Sequence, residues 1–325
     1  MKRIILFLGV MVILTGWTSW APAFSLKGNV IIDDGHRRIV VTHPFTRIIS
    51  LYPAHTENLV ALGAYNSLIG VSMDETYPPC VKKKQRFSYH FGVERFVAVS
   101  PDLVLVRPMI DFGHHALMEK LERSGITVIS LQPKTIKDLY VYWRILGLLT
   151  GKVERANRLI RDFKRFLYQL QRIGESIPHK KRVYFESIHR KMKTFTPHSL
   201  PVFVLHVAGG INIAQDAKSI HGSNIASYGK EKILSKANEI DVYIAQRGRM
   251  NRVDISQIKD EPGFSLIKAV KNNQIYIVDE QLTSRPSLRL LLGIYEIGHV
   301  LYPKKYPVSL KRKIDHLINE YYECN

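Results

Sequence analysis

Six short runs of β-branched and aromatic residues, each followed by a helix-length stretch, constrain this chain more than any other feature. In the first half they are 47–51, 102–106 and 127–131. In the second half they are 182–186, 241–245 and 274–278. Strands separated by helices predict parallel sheets with helices on both faces, an α/β class. Ligands of such sheets sit beyond the carboxyl ends of the strands. The loops beginning at Tyr52, Arg107, Ser187, Gln246 and Asp279 are therefore the ones to watch.

Between the two halves lies a long helical pattern. Ile136, Leu139, Tyr140, Trp143 and Leu146 mark one apolar face, and Val153, Ala156, Ile160, Phe163, Leu167 and Leu170 continue after Gly151. Steps of three and four define an amphipathic helix. A helix over 152–174 would span roughly 35 Å, and Pro178 with the basic residues after it ends the pattern. The expected organisation is a leader at 1–23, an N-terminal lobe at 24–150, a connecting helix at 151–177 and a C-terminal lobe at 178–325. A stiff helical joint limits how far the lobes can hinge.

The leader assigns the compartment. Lys2 and Arg3 precede an apolar run from Ile4 to Leu14, and Ala21-Pro22-Ala23 supplies small residues at the −3 and −1 positions. This is the layout of a secretory signal cut after Ala23; an uncleaved anchor is the alternative. No cysteine lies near the cleavage region, so no lipid anchor is expected, and a periplasmic location follows. No uncharged apolar run reaches 18 residues, which excludes a polytopic membrane protein. With 47 Lys+Arg against 28 Asp+Glu the formal net charge is +19. Export and the scatter of the charge argue against nucleic acid as the partner. A solvated basic surface is expected for most of these residues, while anionic ligands or membranes are favoured by the field. The two cysteines, Cys80 and Cys324, could pair in an oxidising compartment, but sequence supplies no geometry for them.

A weak echo links the halves. Residues 93–97, with Glu94, precede the strand at 102; residues 230–234, with Glu231, precede the strand at 241. The simpler reading is that an acid followed by a base is a common helix start.

Residues 47–63 resemble the opening motif of the periplasmic iron-complex and cobalamin binding proteins of ABC importers. The resemblance continues through Gly70–Ser72, Tyr77–Pro79, Val97–Val104, Leu121–Ile126, Leu146–Lys152, Ala208–Asn212, Ile275–Val278 and Ser284–Arg289, so it covers nearly all of residues 45–302. It implies two Rossmann-like lobes bridged by a long helix, with the ligand in the cleft. It also implies that Glu94 and Glu231 dock against arginines of a membrane permease, one from each lobe. Separated carboxylates of this kind give orientation and steering more than affinity.

For the pocket, the resemblance places an aromatic residue at Tyr89-His90-Phe91. His90 or the Tyr89 phenolate could ligate a metal or haem iron, or the loop could only stack on the ligand. Arg107 and Met109 open the loop after the strand at 102–106; Met109 could equally be ordinary packing. In the second lobe the candidates are Glu186, His189, Lys193, Phe195, Arg247, Arg249 and Arg285. Arg107, Arg247 and Arg285 could converge on one anion, because guanidinium forks suit carboxylates, catecholates and haem propionates. Each alone could be a solvated charge. His114-His115 reads as surface histidines, since neighbours on a helix point apart. No spacing typical of a zinc site occurs, which disfavours a direct zinc or manganese receptor but leaves open ligands drawn from distant loops; no cofactor of the protein's own is expected.

Two function classes follow. One is a monomeric, non-enzymatic receptor that delivers an iron siderophore, haem or a corrinoid to an ABC permease. The other is an exported α/β enzyme, against which stands the absence of nucleophile-elbow, phosphate-loop and dinucleotide motifs.

Overall fold

All six expected strands are present, and they build two separate sheets. The computed structural model describes residues 24–219 and 223–324; the expected leader lies outside the described residues. The chain opens with a small antiparallel sheet of β1 (Ser25–Lys27), β2 (Val30–Ile32) and β3 (Arg38–Val40). Arg37 fastens it to the first lobe through Asp111 at 2.7 Å and Glu122 at 2.7 Å.

The N-terminal lobe contains β4 (Ile48–Ser50), α1 (Pro53–Ala61), β5 (Leu68–Ser72), β6 (Gln85–Phe87), α2 (Val93–Val97), β7 (Leu103–Val106), α3 (Pro108–Gly113), α4 (His115–Arg123), β8 (Thr127–Ser130) and α5 (Ile136–Leu149). Its five strands are all parallel, in the order β6-β5-β4-β7-β8. Ile48, Ile49 and Ser50 of the central strand are fully buried, as a strand covered on both faces requires.

A capping box between Thr135 and Asp138 starts α5. Gly151, at φ +66°, turns the chain into α6 (Val153–Glu175). The two helices lie so close at Gly147 that a Cβ there would stand 2.7 Å from the Ala156 methyl carbon. Leu159, Phe163 and Leu170 of α6 sit in one core cluster with residues of both lobes, including Trp143 and Ile294. The connecting helix is thus bedded in a shared core.

The C-terminal lobe contains β9 (Arg182–Ile188), β10 (Lys193–Phe195), α7 (Leu200–Val207), β11 (Ile211–Asn212), β12 (Lys218–Ser219), β13 (Ile225–Ser227), α8 (Lys230–Ser235), β14 (Val242–Arg247), α9 (Ile255–Asp260), α10 (Lys268–Lys271), β15 (Ile275–Asp279), α11 (Glu280–Thr283), α12 (Leu290–Leu301) and α13 (Val308–Tyr321). Here the expectation of a purely parallel sheet is corrected. β9, β11, β14 and β15 run parallel, but the successive pairings β9–β10, β10–β13 and β13–β12 are antiparallel. Only four residues join β9 to β10, too few for a crossover, and Met192 at φ +44° reverses the chain. After α13 the chain returns to the first lobe, where Cys324 forms a disulfide with Cys80 and Tyr322 meets Tyr77 edge-on at 5.1 Å. No described helix is long and apolar enough to cross a membrane.

Candidate ligand cleft

In the first lobe the strand order reverses between β4 and β7, because the chain builds outward to β6 and then jumps back across β4. Open α/β sheets bind ligands at such a switch point. The two loops that flank it carry Tyr52 and Arg107. The Arg107 guanidinium lies 4.8 Å from the Tyr52 ring centroid, its Nη2 is 3.6 Å from Met109 Sδ, and its buried Nε has no hydrogen-bond acceptor among the described residues. No carboxylate pairs with it among the described residues. Large apolar side chains stand exposed on the same edge: Met73 after β5, and Met109 and Phe112 on α3.

Beside them three rings gather. Tyr89 is 4.5 Å from His90 and 4.6 Å from His114, and the two imidazoles are 5.0 Å apart, all between ring centroids. His90 is exposed and the other two are half-buried. These are the side chains able to offer nitrogen or phenolate oxygen to a metal held by an incoming ligand. His114 was expected as a plain surface histidine. It faces this cluster instead, while its neighbour His115 points to Glu119.

The second lobe offers cations. Arg247 ends β14, and Arg252 follows in the same loop; both are exposed, as is Met250 between them. Lys193 is half-buried at the start of β10. This loop is fixed from below by Asn251, which accepts from the His189 amide at 3.0 Å and donates to the Gln246 carbonyl at 2.8 Å.

Several expected site residues serve other purposes. Glu186 is fully buried; its carboxylate accepts from Tyr243 and bonds His189 Nδ1 at 2.9 Å. That bond raises the His189 pKa, and desolvation opposes it. His189 is 8 % exposed and turns its other nitrogen toward Glu261, which pairs with Lys230. Phe195 is a core residue, edge-on to Phe185 at 5.0 Å. Both Glu186 and Phe195 are corrected from cleft to interior, because β9 runs two residues past the expected end and β10 folds back beside it.

Arg285 and Arg249 are also committed elsewhere. Glu57 of α1, fully buried, accepts from Arg285 at 2.8 Å and from Arg289 at 3.0 and 2.8 Å. Arg249 pairs with Asp74. These ion pairs cross the seam between the lobes, as does the Asn58 amide bonded to the Pro286 carbonyl at 2.9 Å. The expected convergence of Arg107, Arg247 and Arg285 on one anion is therefore reduced by one member, whose charge Glu57 already neutralises. Glu75 lies in the same seam. Burial lifts its carboxyl to about 7, against the lowering effect of the Ser72 and Thr56 hydroxyls, and its Oε2 has no partner among the described residues.

Glu94 and Glu231 occupy matching places. Each is the second residue of a short helix, α2 or α8, preceded by a glycine at the N-cap, and each is exposed. A cavity of about 200 Å³, lined in part by Gly63, Arg155 and Glu320, lies at the opposite edge of the first lobe, under the end of α1.

Two α/β lobes on a bedded helix, with cationic and aromatic loops at the carboxyl ends of their strands, are the architecture of a two-lobed solute receptor. The chain belongs to the periplasmic binding protein family, which it matches over residues 48–282. It is 27 % identical to an uncharacterised ABC transporter substrate-binding lipoprotein, YvrC, of Bacillus subtilis, over 85 % of this chain and 87 % of that one. It is 26 % identical to a vitamin B12-binding protein of Vibrio vulnificus, over 78 % and 89 %. Among solved structures it resembles a possible iron-binding periplasmic solute-binding protein of Staphylococcus epidermidis, with a TM-score of 0.69 and 28 % identity, over 80 % of this chain and all of that one.

Proposed function

We propose that this protein is the periplasmic receptor of an ABC importer, and that it captures an iron complex with an acidic periphery, a siderophore or haem, for delivery to the permease. The observation that carries this reading is the mouth of the cleft. Arg107 at the switch point has no acidic partner among the described residues, Arg247 and Lys193 lie at the carboxyl-end side of the second sheet, and Met73, Met109, Phe112 and Met250 are exposed on the loops and short helix that follow the strands of the two lobes. Guanidinium groups suit carboxylates and catecholates, thioethers and aromatic rings suit a flat apolar body, and Tyr89, His90 and His114 offer donors to an unfilled metal position. The metal is cargo, and the protein needs no cofactor of its own. Capture and release require no covalent step, so stoichiometric binding without turnover is expected. A corrinoid is the second reading, favoured by the vitamin B12-binding relatives; a neutral corrinoid would leave the cations idle.

In this reading the leader is removed after Ala23, the protein is a monomer, and Glu94 and Glu231 dock on the permease. The test is thermal unfolding of the purified protein against ferric siderophores, haem and cobalamins. A ligand at a hundred times its dissociation constant adds about 2.7 kcal/mol. Stabilisation by an anionic iron chelate or haem supports the proposal; stabilisation by a corrinoid alone replaces it with the second reading. For docking, Glu94→Lys with Glu231→Lys should spare ligand binding and abolish uptake. Normal uptake by that variant would remove both residues from the contact.

A further inference from the structure

The connecting helix has an outer face that neither the cleft nor the docking carboxylates use. Its buried residues Ala156, Leu159, Phe163, Leu167 and Leu170 all point one way. On the opposite side, at steps of three and four, stand Arg158, Arg161, Arg165, Tyr168 and Arg172, every one exposed. Arg165 has a carboxylate partner in Asp162 at 3.1 Å, which also accepts from Tyr321, and Arg172 reaches Glu175 only at 3.9 Å. Arg158 and Arg161 have no acidic partner among the described residues. Tyr168, 63 % exposed, sits inside this stripe and has no aromatic or cation–π partner among the described residues. The stripe runs for roughly 21 Å at 1.5 Å per residue.

We propose that this stripe is a membrane-contact surface, whose partner is the anionic phosphate face of a phospholipid bilayer. A solvated face would satisfy the arginines but gives no reason for the tyrosine. A row of guanidinium groups flanking an amphipathic ring is the arrangement that binds headgroup phosphates while the ring settles at the interface. The surface is convex and linear, so it suits many headgroups in a plane and encloses no small anion. Topology gives the contact a use. The helix joins the end of α5 to the start of β9, and so lies on the amino edges of both sheets, opposite the loops that form the cleft. A protein lying on this face holds its cleft away from the bilayer, open to solute, and must roll over to present Glu94 and Glu231.

The test is co-sedimentation of the protein, purified from the periplasm of an expressing bacterium, with vesicles of phosphatidylcholine alone or with one-third phosphatidylglycerol. Binding to the anionic vesicles only is expected, weakening as salt rises. Arg158→Gln, Arg161→Gln, Arg165→Gln and Arg172→Gln together should weaken it at least tenfold, and Tyr168→Ala two- to threefold. The control variant Lys82→Gln, Lys83→Gln, Lys218→Gln and Lys271→Gln removes the same charge from exposed sites elsewhere and should stay within threefold. An unchanged unfolding midpoint confirms that each variant folds. Absent binding, equal loss in the control, or full displacement by 10 mM inorganic phosphate at constant ionic strength would each overturn the assignment.

Discussion

The two lobes meet with opposite chemistry. At the seam the first lobe supplies the acids, Asp74 and Glu57, with Glu75 beside them; the second supplies Arg249, Arg285 and Arg289. The cleft walls differ as well. The first lobe shows thioethers, Phe112 and the three-ring cluster, with Arg107 its one cation at the switch point, whereas the second shows Arg247, Arg252 and Lys193. The comparison separates two uses of arginine in one lobe. Those that find a carboxylate across the seam hold the lobes at a fixed spacing. Those that find none remain for a ligand.

The strongest way to break this division is at Glu57. Glu57→Ala would leave Arg285 and Arg289 without their shared carboxylate in the interior. Removing one member of a buried ionic group costs about 3–5 kcal/mol, because the remaining charge is stranded. Chemical denaturation should show that loss. A loss below about 1 kcal/mol would mean that solvent reaches the seam and that the lobes are not held there.

Glu75 sharpens the same point through pH. Its carboxyl is raised to about 7 by burial, so the folded state holds a proton that the unfolded chain releases above about 4.5. Stability is full below that value and falls as pH climbs through 7, by an amount on the order of 3 kcal/mol. Glu75→Gln keeps an acceptor for Ser72 and Thr56 and removes the titration. The variant should therefore exceed wild type at pH 8 and match it near pH 4.5. His55, pushed down to about 4 chiefly by burial, slopes the opposite way in both proteins, so the difference between the two curves is the quantity to read. A difference that does not change with pH would place Glu75 in contact with water.

How much of this was legible follows from the range of each signal. The six expected strands announce themselves as β-branched and aromatic runs and the connecting helix by its period, and the helix runs from Val153 to Glu175 against an expected 152–174. The antiparallel half of the second sheet does not, because β10, β12 and β13 are two or three residues long and carry no alternation to read. Side chains at loop starts were placed by counting, which succeeds where a strand ends on time, as at Arg107, and fails where it overruns, as at Glu186. Partnerships across the seam leave no local trace. Glu57 sits inside the opening motif with nothing nearby to mark it, and its arginines lie 228 and 232 residues away. The Cys80–Cys324 pair was open for the same reason. The setting of His114 is equally hidden, because the sequence shows only its neighbour His115 while the rings it meets lie at 89–90.

The smallest expected effect tests the division of arginines most directly, because it sets two members of the same lobe against each other. Arg247 ends its strand exposed and without a carboxylate partner among the described residues, so Arg247→Ala should change stability by no more than about 0.5 kcal/mol. It should weaken an anionic iron chelate about tenfold, a loss of about 1.4 kcal/mol. Arg285 is half-buried and held by Glu57 at 2.8 Å. Arg285→Ala should lower the unfolding midpoint while leaving ligand affinity within threefold, since Arg289 still holds Glu57 and the first lobe's wall is untouched. Titration calorimetry and thermal unfolding on the same two preparations give both quantities. If Arg285→Ala were the one to lose affinity, the ligand would have to displace Glu57 on entry, and the seam would be part of the binding site.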